Sequence, residues 1–480
     1  MTVPDMITIL PFIVVSATTV VLMLLVAFYR RHPLAAGLAG VGLTAAFAAL
    51  FAVRFYAPSR QVTSLILVDD FALFFMGLLF AAGFAVVLLS YGYLKDRPGN
   101  REEYYLLLLL ATLGSSVLAA SSHFASFFLG LEILSVSLYG LIAYPRTLDE
   151  SIEAGVKYLV LSAASAAFLL FGMALIYSQL GTMEFSHIAS AQASGTNPSN
   201  LLVLAGSAML FVGIGYKLSA VPFHMWAPDV YQGAPAPVSA LISTLSKGGI
   251  FAVLLRYFTV VDIRGYESLY VMIAVVSFAS MAVGNLLALL QNDVKRILAY
   301  SSIAHMGYLL VAFLAGGTLG ATAVAFYLVA YFVTSLAAFG VVTVLSGPDE
   351  EAEDLEDYRG LFWRRPWLAG AFTSALLSLA GIPLTVGFIG KFYLLAAGVA
   401  PALWVLVVTL VVTSTIGLFY YLRVVATMLS RPTGQAPALG PSPSSQGVLA
   451  LVALMVLLFW LGVFPTPLVQ MIQETVAGLG

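Results

Sequence analysis

Residues 217–247 read KLSAVPFHMWAPDVYQGAPAPVSALISTLSK, and this stretch decides how the rest of the chain is read. A lysine stands at each end, both inside otherwise apolar runs, with Pro222, Pro228, Pro235, Pro237, a histidine and an aspartate between them. A lysine in a helix at hydrocarbon depth is costly and marks a functional position by default. A proline-broken backbone at that depth is tolerated only where protein or water surrounds it. Lysines beside a helix break are what an ion pathway needs.

Composition sets the class. The 480 residues are 61% hydrophobic and 9% charged, with a mean hydropathy of +1.00, whereas soluble domains carry about 25% charged residues. The chain therefore reads as an all-α polytopic membrane protein. Its net charge of −2 gives no electrostatic footprint for nucleic acid. The absence of cysteine excludes disulfides and cysteine-ligated zinc or iron–sulfur clusters within this chain. The first apolar run, Ile7 to Tyr29, is too long for a signal peptide and lacks a basic leader; it reads as a first spanning helix stopped by Arg30 and Arg31.

A spanning helix needs about 20 apolar residues. That template places spans near 6–29, 34–55, 70–94, 104–120, 123–144, 152–178, 200–222, 236–260, 267–290, 295–315, 318–346, 366–398, 402–428 and 447–475. These make fourteen crossings, with 200–222 and 366–398 each counted as one helix broken at a proline. Twelve basic residues, from Arg30 and Arg31 through Arg97, Arg101, Arg146, Lys295 and Arg296 to Arg431, fall on the side reached after the first helix; only Arg54, Arg60, Arg256 and Arg264 fall on the other. The positive-inside rule makes the first side cytoplasmic and puts both termini outside. The acidic segment GPDEEAEDLEDYRG at 347–360 then reads as a solvated or partner-facing cytoplasmic loop, and RPTGQAPALGPSPSSQG at 431–447 as a connector.

SALLSLAGIPLTVGFIGKF at 374–392 echoes KLSAVPFHMW at 217–226: a small-residue helix end, a proline after an aliphatic residue, then a polar half. Pro383 lies 161 residues after Pro222 and five crossings further on, so the second copy is inverted. Paired broken helices in inverted repeats point to a transport site near the midplane.

The candidate residues follow. Glu132 lies roughly 15 Å into its span, where no apolar role explains a carboxylate. Lys157 begins the next span, so the two could approach as a separable ion pair, although Lys157 is also placed to snorkel to the interface. Lys217 lies five residues before Pro222, where proline weakens the helix. Lys247 sits about eleven residues into its span and Lys391 follows Pro383. A desolvated lysine can release and recover a proton near neutral pH, so a row of them forms a proton wire. His224, just past Pro222, and His305, in YSSIAHMGYLL with serines one turn away, are candidate links. Lys295 and Arg296 read as a positive-inside signal, Asp229 as a helix cap or a proton guide, and Arg423 as a snorkelling side chain.

With PFHMWAPDVYQGAPAPVSA, NDVKRILAYSSIAHMGY and LSLAGIPLTVGFIGKFY in view, the chain resembles the antiporter-like, proton-translocating membrane subunits of respiratory complex I. The wording VYQGAP is similar to the N-type branch rather than the L or M types. The resemblance runs over essentially the whole chain. It implies fourteen membrane helices, two inverted five-helix repeats, and broken seventh and twelfth helices. The repeats would divide the chain into 1–103 (three helices), 104–265 (first repeat), 266–430 (second repeat) and 431–480 (connector and last helix). Glu132 matches the fifth-helix glutamate, Lys157 the sixth-helix lysine, and Lys217, Lys247 and Lys391 the lysines of the seventh, eighth and twelfth helices. NADH, flavin, iron–sulfur clusters and quinone would belong to the whole enzyme, and this chain would hold none of them. Its partners would be M-, K-, A- and J-type membrane subunits in a bacterial inner membrane. A multisubunit sodium/proton antiporter component built on the same fold is the competing expectation, and a non-conducting scaffold a third.

Overall fold

The computed structural model describes residues 3–57, 59–193, 201–261, 266–348, 350–431 and 443–478; Arg264 and most of the 431–447 connector lie outside them. Helices dominate. The first group is α1 (Val3–Thr8), α2 (Leu10–Phe28), α3 (His32–Tyr56), α4 (Asp70–Lys95), α5 (Glu102–Ala120), α6 (Phe124–Ile142) and α7 (Asp149–Leu180). Next come α8 (Phe185–Ala193), α9 (Leu201–Lys217), α10 (Trp226–Gly233), α11 (Ala236–Leu241), α12 (Lys247–Val260), α13 (Glu267–Leu289), α14 (Val294–Ala315) and α15 (Gly317–Leu345). The chain finishes with α16 (Leu361–Arg364), α17 (Pro366–Ala380), α18 (Val386–Val399), α19 (Trp404–Leu429), α20 (Ser445–Val463) and α21 (Thr466–Ala477).

Among the described residues twelve helices are long and apolar enough to cross a membrane, counting α11 and α12 as one through a π-helical turn at Ile242–Ser246. Three shorter apolar helices, α9, α17 and α18, flank the two breaks. Both expected breaks are therefore present. Three features depart from the expected spans. A short antiparallel hairpin, β1 (Arg60–Thr63) and β2 (Ile66–Val68), joins α3 to α4, and α8 lies between α7 and α9. The single span expected over 447–475 divides into α20 and α21 at Pro465, where the missing N–H stops the helix.

Local chemistry explains many boundaries. Asp69 caps α4 by accepting from Ala72 N at 2.8 Å, and Asp293 caps α14 by accepting from Arg296 N at 2.7 Å. Gly181 and Gly381 close α7 and α17 in the left-handed conformation. Between α7 and α9, Gly172 and Gly206 face each other so closely that a Cβ on Gly172 would stand 2.5 Å from the Gly206 carbonyl. Small residues at such contacts let helix backbones meet where no hydrophobic gain distinguishes protein from lipid.

The α11–α12 span, α14 and α15 are enclosed almost completely by the remaining helices, the pattern of helices with no lipid-facing side. The loops gather at two ends. At one end Arg30 meets Glu103, Tyr144 bonds Asn100 and Trp363 bonds Leu429. At the other Arg60 meets Asp5, Gln61 meets Glu184, and the 121–124 turn bonds residues 65 and 183–185. The basic loop residues concentrate at the first end.

Arg256 stands at the second end, buried, with its guanidinium donating to both oxygens of Asp69 at 2.8 and 2.6 Å. Removing one member of a buried pair strands the other charge, at a cost of about 3–5 kcal/mol. Asp69→Ala, which also uncaps α4, should lower the thermal unfolding midpoint of the purified protein strongly, and the combination Asp69→Leu/Arg256→Met should recover much of the loss.

Candidate functional site

Lys217 is the last residue of α9, and the chain then turns through Ser219 at a positive φ of 59° before α10. Its side chain is buried and donates to Ser135 Oγ of α6 and Ser162 Oγ of α7, each at 2.6 Å. Tyr139 donates to the same Ser162 Oγ at 2.9 Å. Glu132, Ser135 and Tyr139 lie at i, i+3 and i+7 on α6, which puts them on one face. Glu132 Oε1 is buried without a hydrogen-bond partner among the described residues, yet it lies within electrostatic reach of Lys217. An acceptor left open beside an ammonium is a site where charge can shift.

Lys247 is enclosed at the core and begins α12, straight after the π-helical turn. Such a turn widens the helix by one residue and recurs at functional sites. Lys247 Nζ donates to Ser302 Oγ of α14 at 2.5 Å, and that hydroxyl also meets Tyr331 of α15 at 2.6 Å. One turn on, His305 meets Tyr327 at 2.7 Å through Nδ1 and Tyr421 at 3.4 Å through Nε2, with its ring 5.4 Å from that of Tyr331. His305 is electrostatically close to both Lys247 and Lys391.

Lys391 of α18 reaches across the second break. Its ammonium donates to the Ala380 carbonyl at 2.8 Å and to Ser414 Oγ of α19 at 2.6 Å, and it stands 5.3 Å above the Tyr308 ring. Ala380 ends α17, so a cation sits on the negative end of that half-helix. The half-helices approach so tightly that a Cβ on Gly387 would fall 1.9 Å from the Ser378 carbonyl. Tyr308 bonds Asn285 at 2.9 Å and Tyr420 bonds the other side of that amide at 3.1 Å. From Lys247 to Lys391 the polar groups thus follow one another through the core: Ser302, Tyr331, His305, Tyr308.

The remaining expected residues are placed differently. Lys157 does not pair with Glu132. It is partly exposed and pairs with Glu153 at 2.7 Å and Asp229 at 2.9 Å, because it lies two turns from the end of α7 and its long stem reaches the nearby carboxylates. Among the described residues Asp229 caps no helix; it joins Lys157 to Arg296 at 2.8 Å and so ties α7, α10 and α14. His224 lies half-buried in the turn after α9, with no hydrogen bond at Nδ1 among the described residues and none to Lys217 or Lys247. Arg423 donates to the Leu289 and Gln291 carbonyls at the end of α13.

Lys295 departs furthest from its expected role. It is buried and donates to Glu351 at 2.5 Å, Glu353 at 2.8 Å and the Ala234 carbonyl at 3.0 Å. The acidic segment at 347–360 is therefore not wholly solvated: Glu351 inserts among Lys295, Tyr93, Arg97 and the Ala236 N–H at the start of α11. Two carboxylates from the loop offset the cost of burying this ammonium. Ser135, Ser162, Ser302 and Ser414 complete the site as acceptors for the buried lysines. The one sequence signal was their spacing, Ser135 one turn from Glu132 and Ser302 one turn from His305.

Fold and core together define a polytopic membrane protein with a lysine-bearing polar axis. The chain belongs to the NADH:quinone oxidoreductase/Mrp antiporter transmembrane family, whose pattern matches residues 121–417. It is 48% identical to NADH-quinone oxidoreductase subunit N of Ectopseudomonas mendocina (strain ymp), over 98% of this chain and 97% of that one. Among solved structures it is similar to a chain of respiratory complex I from Thermus thermophilus with bound aureothin, at 32% identity and TM-score 0.81, covering 96% of this chain and 98% of that one. It also resembles a chain of the Mrp complex from Dietzia sp. DQ12-45-1b, at 22% identity and TM-score 0.87 over 100% of this chain and 98% of that one, a likeness of fold.

One titration belongs to the loop. Burial opposes ionisation of Glu351, but Lys295, Tyr93 and Arg97 overcome it and hold its carboxyl below the usual range. One lysine cannot neutralise two carboxylates. Burial accordingly pushes Glu353 up to about 7, against the pull of Lys295. Its carboxyl binds a proton more tightly folded than unfolded, so its contribution to stability is fully present below about pH 4.5 and is lost as pH rises through about 7. Glu353→Gln cannot ionise; its melting temperature should therefore gain on the parent's as pH rises across that window, and a pH-independent difference would contradict the assignment.

Proposed function

We propose that this chain is a proton-conducting membrane subunit of an NADH:quinone oxidoreductase, coupling quinone reduction in other subunits to proton movement through its core. The observation that carries the reading is that Lys217, Lys247 and Lys391 are each buried and each held on serine hydroxyls, two of them at helix breaks. A scaffold would carry leucine there more cheaply. The higher identity to subunit N and to a complex I chain than to the Mrp chain favours the oxidoreductase over the sodium/proton antiporter.

In this reading α9–α10 and α17–α18 are each one broken crossing, which with the twelve long helices makes fourteen. Residues 104–265 and 266–430 form two inverted five-helix repeats, flanked by 1–103 and 431–480. Lys217 closes the half-helix before its break while Lys391 follows its own, so the two lysines stand on opposite halves of their broken helices. The end rich in arginine and lysine faces the cytoplasm of a bacterial inner membrane, with both termini outside. NADH, flavin, iron–sulfur clusters and quinone reside in other subunits; cysteine-free, this chain has no thiolate to offer a cluster.

Protons enter from the cytoplasmic end, rest on Lys217 and Lys247, and leave past Lys391. Glu132 sets the charge on Lys217, since ionised it favours the ammonium and moved away it favours release. Ser302 holds Lys247 against Tyr331, and His305 with its tyrosines links the central and second-break lysines. His224 lies toward the entrance, and Lys157 answers charge on Asp229.

Lys247→Ala should reduce proton pumping driven by NADH oxidation in membrane vesicles by at least about tenfold in an assembled complex. Full pumping by an assembled mutant would remove Lys247 from the pathway, and sodium-dependent proton flux through the isolated chain would favour the antiporter.

A further inference from the structure

At the basic end a cavity of about 460 Å³ opens between the α4–α5 turn and the α6–α7 turn. Arg97, Arg101 and Arg146 line it beside a single carboxylate, Glu103, which is already paired with Arg30 at 3.0 Å. Arg97 is only 9% exposed. Its guanidinium lies 3.9 Å above the Tyr93 ring and donates to the Gly347 carbonyl at 2.7 Å, but its Nε has no acceptor among the described residues. Glu351, 3.9 Å from Arg97, is committed to Lys295 at 2.5 Å. Arg101 uses its Nε on the Arg97 carbonyl at 2.9 Å, and Arg146 has no hydrogen bond or ion pair among the described residues. The pocket therefore carries excess positive charge with donors left over.

A second cavity, about 720 Å³ and mostly apolar, adjoins the first; the two share Glu103, Tyr144 and Arg146. Leu106, Leu107 and Leu110 form its floor at i+3, i+4 and i+7 from Glu103, one stripe along α5. The stripe carries the groove roughly 10 Å from the charged end toward the middle of the helices. Met23 of α2 and Ile152 of α7 stand exposed at its rim.

We propose that this joined pocket and groove binds one anionic diacyl phospholipid, its phosphate on Arg97, Arg101 and Arg146 and an acyl chain along the α5 stripe. Two features select this ligand. A basic pocket at the edge of a helix bundle suits an anionic headgroup, and a free phosphate would leave the adjoining apolar groove unused. Because Arg97 also holds the Gly347 carbonyl, the bound headgroup braces the loop that places Glu351 on Lys295. This inference rests on the membrane placement of the helices and not on the proton pathway.

The test is lipid retention. The whole complex containing this subunit is purified, washed extensively in detergent, and its phospholipid counted by mass spectrometry of the extract. The parent should retain about one more phosphatidylglycerol-class lipid per complex than the Arg101→Gln/Arg146→Gln variant or the groove-filling Met23→Trp variant, with phosphatidylethanolamine unchanged. Size-exclusion profiles confirm assembly. Delipidated parent complex, offered phosphatidylglycerol or phosphatidylethanolamine vesicles, should take up the former selectively, which keeps the test decisive should a variant fail to assemble. Equal retention in all three proteins, or equal uptake of the two lipids, would overturn the proposal. So would retention that survives Met23→Trp but yields to inorganic phosphate, since that identifies a free-anion site, and so would a groove filled by a neighbouring subunit, which would retain no lipid.

Discussion

Everything in this fold depends on satisfying backbone and ammonium groups where no bulk water reaches. Each break in a helix frees carbonyls, and each buried lysine brings three donors; neither is tolerable in hydrocarbon without a partner. The structure meets both demands with one another. The end of α17 offers its Ala380 carbonyl to Lys391, and the hydroxyls of Ser135, Ser162, Ser302 and Ser414 each accept one further lysine N–H. Serine suits the task because one hydroxyl can accept from an ammonium and still exchange a second bond with a tyrosine, as Ser302 does with Tyr331.

This constraint explains the helix arrangement. The lysine-bearing α11–α12 span and α14, which carries the serine and histidine facing it, are enclosed with α15, and more lipid-exposed helices such as α2 and α7 surround them. Charge away from this axis is either paired inside, as Arg256 with Asp69, or gathered at an end. Lys295 occupies an intermediate position: it starts an enclosed helix, so the acidic segment at that end of the bundle must fold back to meet it. The loop is thereby tied to the first turn of α11, the helix that leads through the π-helical turn to Lys247.

Much of the site was legible because membrane depth makes polar residues conspicuous. Glu132, Lys217, Lys247, His305 and Lys391 stood out against apolar runs, and four of these five take part in the buried hydrogen bonding. Pro222 and Pro383 located both breaks. Pairing was not legible. Adjacency of two helices lets Lys157 approach either Glu132 or the interface, and α10 folds back to bring Asp229 to the exposed end of α7. Glu351 was hidden in an acidic run whose composition is that of a solvated loop; only its insertion beside Lys295 distinguishes it from Glu356, which pairs on the surface with Arg359.

The sequence by itself determined the class, the broken helices and the costly residues. Burial in hydrocarbon penalises charge so heavily that a lysine is informative wherever it falls in an apolar run. Which hydroxyl or carboxylate each lysine meets was decided only by the tertiary structure, because those partners lie as much as 82 positions away, between Lys217 and Ser135. Serines, tyrosines and loop acids carry no mark of burial in their own surroundings. They acquire a role only when helix packing removes the water that would otherwise have served any of them equally.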